Sequence, residues 1–476
     1  MKSLMSSMAL LALSACAVGP NYRAPAPLPP AQANLGEAVG SPAIATEAVP
    51  QKWWRLFNDA RLDALVEQAL AYNTDVRVAS ANLRQARALL SQARAGRLPT
   101  GTASAQATEQ RLAPLNGIPQ AIEGEYYQLG YDASYEIDLF GRVSRSIEAG
   151  RADTAAAQAG LDAARVSIAA ETARTYAQAC GFGAQAATAR ETAALQRRTL
   201  ELTQRLLSGG RNTQRDVDQA VLLVEQANAQ LATAEAEQRA AVYALAVLTG
   251  QPPSNADKAL FECTTLPTVA QAIPVGDGQA LLARRPDVRQ AERQLAADTA
   301  RIGVATAALY PSISILGSAT SSALSPKDLG TNRSFGFSVG PLISWNFPFF
   351  GAARARVRQN EAVAEGSLAS FDKAVLTALQ ETEQALARLK GALDREAALT
   401  RGLAASNSAA DIAERRFAAG ADSFLQLLDA QRDRATARAQ LASAQSDRAS
   451  AQVALFKALG GGWEDAPEPV RVTQNQ

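Results

Sequence analysis

Leu425, Asp429 and Arg432 fall four and three positions apart in one helical stretch, so all three share a face. A carboxylate and a guanidinium lie within reach of each other, one turn beyond a leucine. Such a set makes and breaks no bonds. Repeated round an opening, the leucine narrows and dries it, the carboxylate draws cations, and the arginine ties carboxylates across a boundary. On an open surface the same residues merely keep a helix solvated. Nothing else in the chain reads as a reaction centre. The 476 residues include no histidine, so there is neither an imidazole base nor a His-ligated metal. No acid–base pair converges either, and the expectation is a protein that is not an enzyme and carries no metal.

Three cysteines complete the reactive inventory. Cys16 closes Leu13-Ser14-Ala15-Cys16, behind Lys2 and the apolar run Leu4 to Leu13. That run is too short to span a bilayer, and residues 1–15 read as a signal peptide. The ending resembles the bacterial lipobox, in which cleavage leaves the cysteine first and lipidated. A covalent lipid on Cys16 is the only cofactor expected, and acyl chains there would hold the protein at a membrane. Ala17, rather than an aspartate, follows it, and the resemblance to lipoproteins then implies the outer membrane. An ordinary signal peptide with an incidental cysteine is the alternative. Cys180 and Cys263 are left in an oxidising compartment, either as a disulfide or as two unrelated buried thiols.

The elements that carry these residues repeat. Phe140-Gly141 returns as Phe350-Gly351 and Gly210 as Gly420, each 210 positions on. Leu248-Thr249-Gly250 returns as Ala458-Leu459-Gly460, and Pro99 has its partner in Pro311. An internal repeat of this length implies one duplicated body rather than several domains. After the signal peptide, residues 16–58 read as an extended Pro-rich tether, with order beginning at Trp53-Trp54. The first repeat covers 59–250: a helix to about Arg97, strands at 100–113 and 126–139, and a long helical hairpin at 142–249. A connector follows at 251–278. The second repeat covers 279–460: a helix to about 307, strands at 312–321 and 334–347, and a hairpin at 352–459. Residues 461–476 read as a polar tail.

The hairpins are unusual for their length. The stretch from Gly141 to about Leu207 has one candidate kink, at Gly181-Phe182-Gly183. Some 65 helical residues span about 100 Å, which demands other helices alongside. Gly209-Gly210 and Gly420 turn the chain. The balance of 47 basic against 46 acidic residues argues against a nucleic-acid partner.

The strands alternate strictly. Tyr127, Leu129, Tyr131, Tyr135 and Ile137 fall on one face, with Gln128, Asp132, Ser134, Glu136 and Asp138 on the other. Phe335, Phe337, Val339, Ile343, Trp345 and Phe347 repeat the pattern, with Pro341 as the candidate site of a bulge or of weak pairing. These faces fit a barrel with lipid outside and water inside, where Asp132, Ser134, Glu136 and Asp138 would face the lumen or serve as interior filler. Four strands cannot close a membrane barrel, and an open edge is not tolerated in lipid. Three copies would supply twelve strands. An amphipathic sheet packed on a soluble helical body is the alternative.

Val18-Gly19-Pro20-Asn21-Tyr22, Trp53-Trp54, the run from Ala69 to Ala86, Glu136 to Gly141, Arg284 to Arg289, Ile302 to Ala305, Leu309-Tyr310-Pro311 and Leu428 to Gln431 together resemble the outer-membrane efflux factor family, in its TolC/OprM-like, nodulation-T-type lipoprotein branch. The resemblance covers essentially all of the mature chain. It implies a mainly α fold with a membrane β part: a homotrimeric tube whose twelve-stranded barrel continues into a long periplasmic helical barrel, with the connector in an equatorial band. It implies the exit duct of a tripartite pump, partnered by a periplasmic adaptor and an inner-membrane transporter of the resistance-nodulation-division type. It also implies that Leu425, Asp429 and Arg432, with Asp216 on the other hairpin, form the closed periplasmic gate, and that the adaptor contacts the tips at Gly209, Gly210 and Gly420. A type I protein-secretion duct and a pore-less coiled-coil scaffold are the competing readings.

Overall fold

The computed structural model describes residues 17–25, 36, 42–45, 47–112, 122–345 and 350–470. The signal peptide, Cys16, the strand ends expected at 113 and 346–347, and residues 471–476 lie outside the described residues. Helices α1 (Ala60–Tyr72), α2 (Thr74–Ala95), α3 (Arg142–Ser208), α4 (Gln214–Leu248), α5 (Gly278–Arg284), α6 (Pro286–Ala307), α7 (Phe350–Ala418) and α8 (Phe424–Ala458) alternate with strands β1 (Ile44–Ala45), β2 (Thr100–Leu112), β3 (Ile122–Ile137), β4 (Ile273–Pro274), β5 (Ser312–Ala323) and β6 (Phe335–Ser344). Contacts do not divide the chain by repeat. One compact unit gathers Leu83–Ala157 and Gln290–Asp372 with the N-terminal segment to Pro25; the other gathers Ala26–Asn82, Gln158–Arg289 and Lys373–Gln476.

In the first unit β2, β3, β5 and β6 form one antiparallel sheet in that order. The pairing is one to one from end to end. Tyr131 lies between Ala103 and Ala319, and Ala319 pairs with Phe337. No residue is skipped at Pro341, which pairs with Ile315, so of the two expectations there the bulge is excluded. Pro341 sits on an edge strand of the sheet, where a missing donor disturbs the ladder least. β3 also stops at Ile137, because Asp138 turns away to cap α3. Its carboxylate accepts from the Val143 and Ser144 amides at 2.9 and 2.7 Å.

The N-terminal segment is not a loose tether where it is described. The Val18 amide donates to the Phe140 carbonyl at 3.2 Å. The buried Arg145 guanidinium reaches the Gly19 carbonyl and, at 2.7 Å, Asn21 Oδ1. The Tyr22 hydroxyl donates to Glu292 at 2.9 Å; burial, then this bond, push the phenol up to about 12. Gly19 stands at φ +89°, where a Cβ would come within 2.5 Å of Gly303 Cα.

In the second unit the core gathers round Trp53, which stacks on Phe456 at 4.9 Å between ring centres. Ile44–Ala45, expected as tether, pairs in parallel with Ile273–Pro274. The segments read as single helices at 59–97 and 279–307 are each broken. Asn73 ends α1 and its side chain accepts from the Asp75 and Val76 amides, starting α2. Arg285 ends α5 because Pro286 forces the residue before it out of the helical region. The tail is docked as well. Trp463 lies under the Arg289 guanidinium at 4.9 Å, and the Val470 amide donates to Ala71 at 2.9 Å.

α3 continues as one helix through Gly181-Phe182-Gly183. These glycines make room for a neighbour. A Cβ on Gly183 would come within 1.9 Å of the Cys263 carbonyl, and one on Gly181 within 2.5 Å of Ser446 Oγ. The room admits the connector: Cys180 and Cys263 are disulfide-bonded with Cα atoms 4.7 Å apart. Six residues on, Val269 exchanges two hydrogen bonds with the Gln452 amide, at 3.1 and 2.9 Å. The connector is thereby fixed to α3 at one point and to α8 at the next.

Candidate functional site

Two parts of the chain carry functional character, one in each unit. The first is the sheet. Its register aligns the alternation of every strand, so one face is apolar across all four. Ala103, Tyr131, Ala319 and Phe337 make one cross-sheet row on it, and Ala105, Leu129, Ser321 and Phe335 the next. That face is bare: Phe337 is 77% exposed, and Leu129, Tyr131, Val339 and Ile343 are exposed too. A patch of this kind on a water-soluble body is costly and marks a lipid or protein contact. The opposite face is mostly hydroxyl, amide and glycine, interrupted by Leu316 and Leu342, and Ser318 and Ser338 share a hydrogen bond there at 2.8 Å. Glu136 on that face is held by Arg142, whose Nε donates to it at 2.8 Å. Among the described residues no helix is long and apolar enough to cross a membrane.

The second part is the pair of helical turns. At the first, Gly210 takes φ +70°, and the Arg211 amide reaches back to the Leu206 carbonyl at 2.8 Å. At the second, Gly420 takes φ +75°, and the Ala421 amide reaches back to Arg416 at 2.9 Å. Both close their helices in the left-handed Schellman manner that glycine favours. Each outgoing helix then starts on a capping box, Thr213 with Asp216 and Ser423 with Gln426.

Asp429 and Arg432 are brought together as an ion pair at 3.2 Å, both exposed. Leu425, on the same stripe of α8, is 51% exposed. Among the described residues of one chain, Asp216 makes no ion pair with them. Its carboxylate accepts from the Thr213 amide and hydroxyl, both at 2.8 Å, and serves as the cap of its own helix.

The other face of α8 holds residues that sequence reading missed. Phe424, Leu427 and Leu428 are buried in a cluster with Ala220 and Ala413 that packs the two hairpins together. Next along the same face, Gln431 accepts from the Thr199 hydroxyl at 3.1 Å. Buried Arg434 donates to Glu414 at 2.7 Å and Asp411 at 3.3 Å. Arg416 and Asp422 bridge the turn at 2.8 Å, and the arginine holds the carboxyl below its usual range. The repeat of apolar residues at 424, 427 and 428 was the signal available for this face. α8 therefore grips its own chain with one stripe and presents Leu425, Asp429 and Arg432 on another.

Comparison with known proteins agrees with this architecture. Residues 65–251 and 278–461 match the family described as outer membrane efflux protein, one match to each repeat. Over 463 residues the chain is 33% identical to outer membrane protein OprJ of Pseudomonas aeruginosa, covering 96% of this chain and 95% of that one. It is 32% identical over 468 residues to the toluene efflux pump outer membrane protein TtgI of Pseudomonas putida, covering 96% and 97%. The solved outer-membrane channel OprN superposes with a TM-score of 0.89 at 36% identity, over 94% of this chain and all of that one. The chain belongs to the outer membrane efflux protein family, whose members act as outer-membrane channels.

Proposed function

We propose that three copies of this chain close a twelve-stranded barrel in the outer membrane and serve as the passive exit duct of a tripartite efflux pump. The observation that carries this reading is the sheet: an apolar face continuous over four strands and exposed, a polar face behind it, and β2 and β6 with outer edges that are unpaired among the described residues. Such a sheet cannot sit alone in lipid, where each unpaired backbone group costs several kcal/mol. Pairing β2 of one copy with β6 of the next removes both edges.

Lipid on Cys16 anchors each copy. The hairpin turns at Gly209, Gly210 and Gly420 form the periplasmic end and receive a membrane-fusion adaptor. The Leu425, Asp429 and Arg432 stripes of three copies meet there as a gate, with Asp216, the cap of α4, beside them on the other hairpin. An inner-membrane transporter of the resistance-nodulation-division type supplies the energy. Small organic solutes are the cargo, a class supported by the toluene efflux named for the relative TtgI. The test is detergent-purified full-length protein, sized by light scattering and inserted in planar bilayers. Trimers with discrete conductance steps are expected. Monomers without conductance would favour the pore-less scaffold.

A further inference from the structure

We infer that Asp132 is the charge-selective residue of the duct wall, making the membrane passage prefer cationic solutes. This rests on the trimeric barrel proposed above. The polar face of the sheet is nearly free of charge. Thr102, Ser104, Gln106 and Thr108 line it on β2, and Ser314, Ser318 and Thr320 on β5. Only two carboxylates stand on this face within the described strands, Asp132 and Glu136, and neither lysine nor arginine does. Arg142 neutralises Glu136 through two hydrogen bonds. Asp138, one step further along, has left the strand to cap α3. Asp132 is exposed and, among the described residues, makes no hydrogen bond or ion pair. Its cross-strand neighbours, Thr102 on β2 and Ser318 on β5, carry no charge to offset it.

The geometry gives one such carboxylate weight. Twelve strands about 4.8 Å apart and tilted by about 40° enclose a backbone radius of about 12 Å. Inward side chains reduce the passage to a radius of about 8 Å, below the Debye length of about 10 Å at 0.1 M salt. Three Asp132 carboxylates at that radius enrich a monovalent cation on the axis roughly threefold and a divalent cation roughly tenfold. Hydroxyl walls elsewhere leave neutral solutes unaffected.

The experiment is the reversal potential of the full-length protein in planar bilayers under a KCl gradient, for wild type, Asp132→Asn and Asp132→Asn/Ser318→Asp. Wild type should be cation-selective. Asp132→Asn should keep its conductance and lose most of the selectivity. The second variant, with the carboxylate moved one strand over at the same level, should regain it and control for misfolding of the first. Asp429→Asn is the comparison at the helix turns. Unchanged selectivity in Asp132→Asn, or its loss in Asp429→Asn alone, overturns the inference and leaves the duct standing. No conductance from any of the proteins overturns the duct itself.

Discussion

Asn73 and Arg285 do the same work at equivalent points of the two repeats. Asn73 donates to the Leu248 carbonyl at 2.9 Å, and Arg285 to the Ala458 carbonyl at 3.0 Å. Leu248 and Ala458 are the last residues of α4 and α8, 210 positions apart. Each donor also stands at the break between a short helix and a longer one, so one side chain satisfies the end of a returning helix from the break of another. Duplication has preserved the contact and exchanged the residue that makes it.

The exchange makes the two sites unequal in energy. Asn73→Ala removes a neutral hydrogen bond and a helix cap and should cost about 1–2 kcal/mol. Arg285 is buried, and its Nη2 also meets Asp287 at 2.6 Å and Glu381 at 2.7 Å. Both carboxylates are partly solvated, so Arg285→Met should cost about 2–3 kcal/mol rather than the full price of a broken buried pair. Thermal unfolding in detergent should rank wild type above Asn73→Ala above Arg285→Met.

Alkaline stability should report on Tyr176. Its buried hydroxyl donates to Asp59 Oδ2 at 2.7 Å, while Asp59 Oδ1 caps α1 through the Arg61 and Leu62 amides. Burial, and then that bond, raise the phenol well above its ordinary value of 10. The folded chain therefore holds this proton where the unfolded chain releases it. Its contribution is full below about pH 10 and is lost as pH rises beyond that. Melting temperature should be flat in pH 8–9 and fall above 10. Tyr176→Phe should start about 1 kcal/mol lower and fall less steeply. An equal slope in both proteins would reject the assignment.

How much of this was legible depended on whether a residue acts along its own element or across to another. The Tyr-rich face of β3 could be read because alternation is a property of one strand. On β2 the same face is Gly101, Ala103, Ala105 and Ala107, which looks featureless until register sets it beside Ala133, Tyr131, Leu129 and Tyr127. The stripe of Leu425, Asp429 and Arg432 was legible from helical spacing, whereas the grip of Gln431 on Thr199 and of Arg434 on Glu414 joins separate elements. Gly181 and Gly183 suggested a kink for the same reason, since the connector that needs their space lies far along the chain.

The connector should be sensitive at Gly183 as well as at the disulfide. The bridge closes a separation of 83 residues, for which typical native disulfides contribute about 2–4 kcal/mol. Cys180→Ser/Cys263→Ser should lower stability by that amount. Gly183→Ala should displace the Cys263 carbonyl, at a cost of about 1–3 kcal/mol, and slow formation of the bridge. Non-reducing gels after pulse labelling of free thiols would detect the delay.

At the helix turns, Asp429→Ala/Arg432→Ala removes an exposed pair within one helix and should change folding stability by less than about 0.5 kcal/mol. If the stripe lines a gate, single-channel conductance should nevertheless rise and antibiotic sensitivity change with it. Normal conductance and sensitivity would return the stripe to the status of a solvated surface.

The two faces of the sheet give the sharpest contrast. Phe337 and Ser338 are neighbours on β6 and point to opposite sides. On the apolar side an arginine near the middle of a bilayer costs about 2–4 kcal/mol. On the polar side a charge meets water and costs little. Phe337→Arg should therefore reduce the yield of folded, membrane-inserted protein, seen as loss of the heat-modifiable band on gels, while Ser338→Arg should insert normally. A sheet with both faces in water would tolerate either charge alike, since Phe337 and Ser338 are both exposed. The pair of variants thus separates a lipid-facing wall from a sheet in water by whether a difference appears.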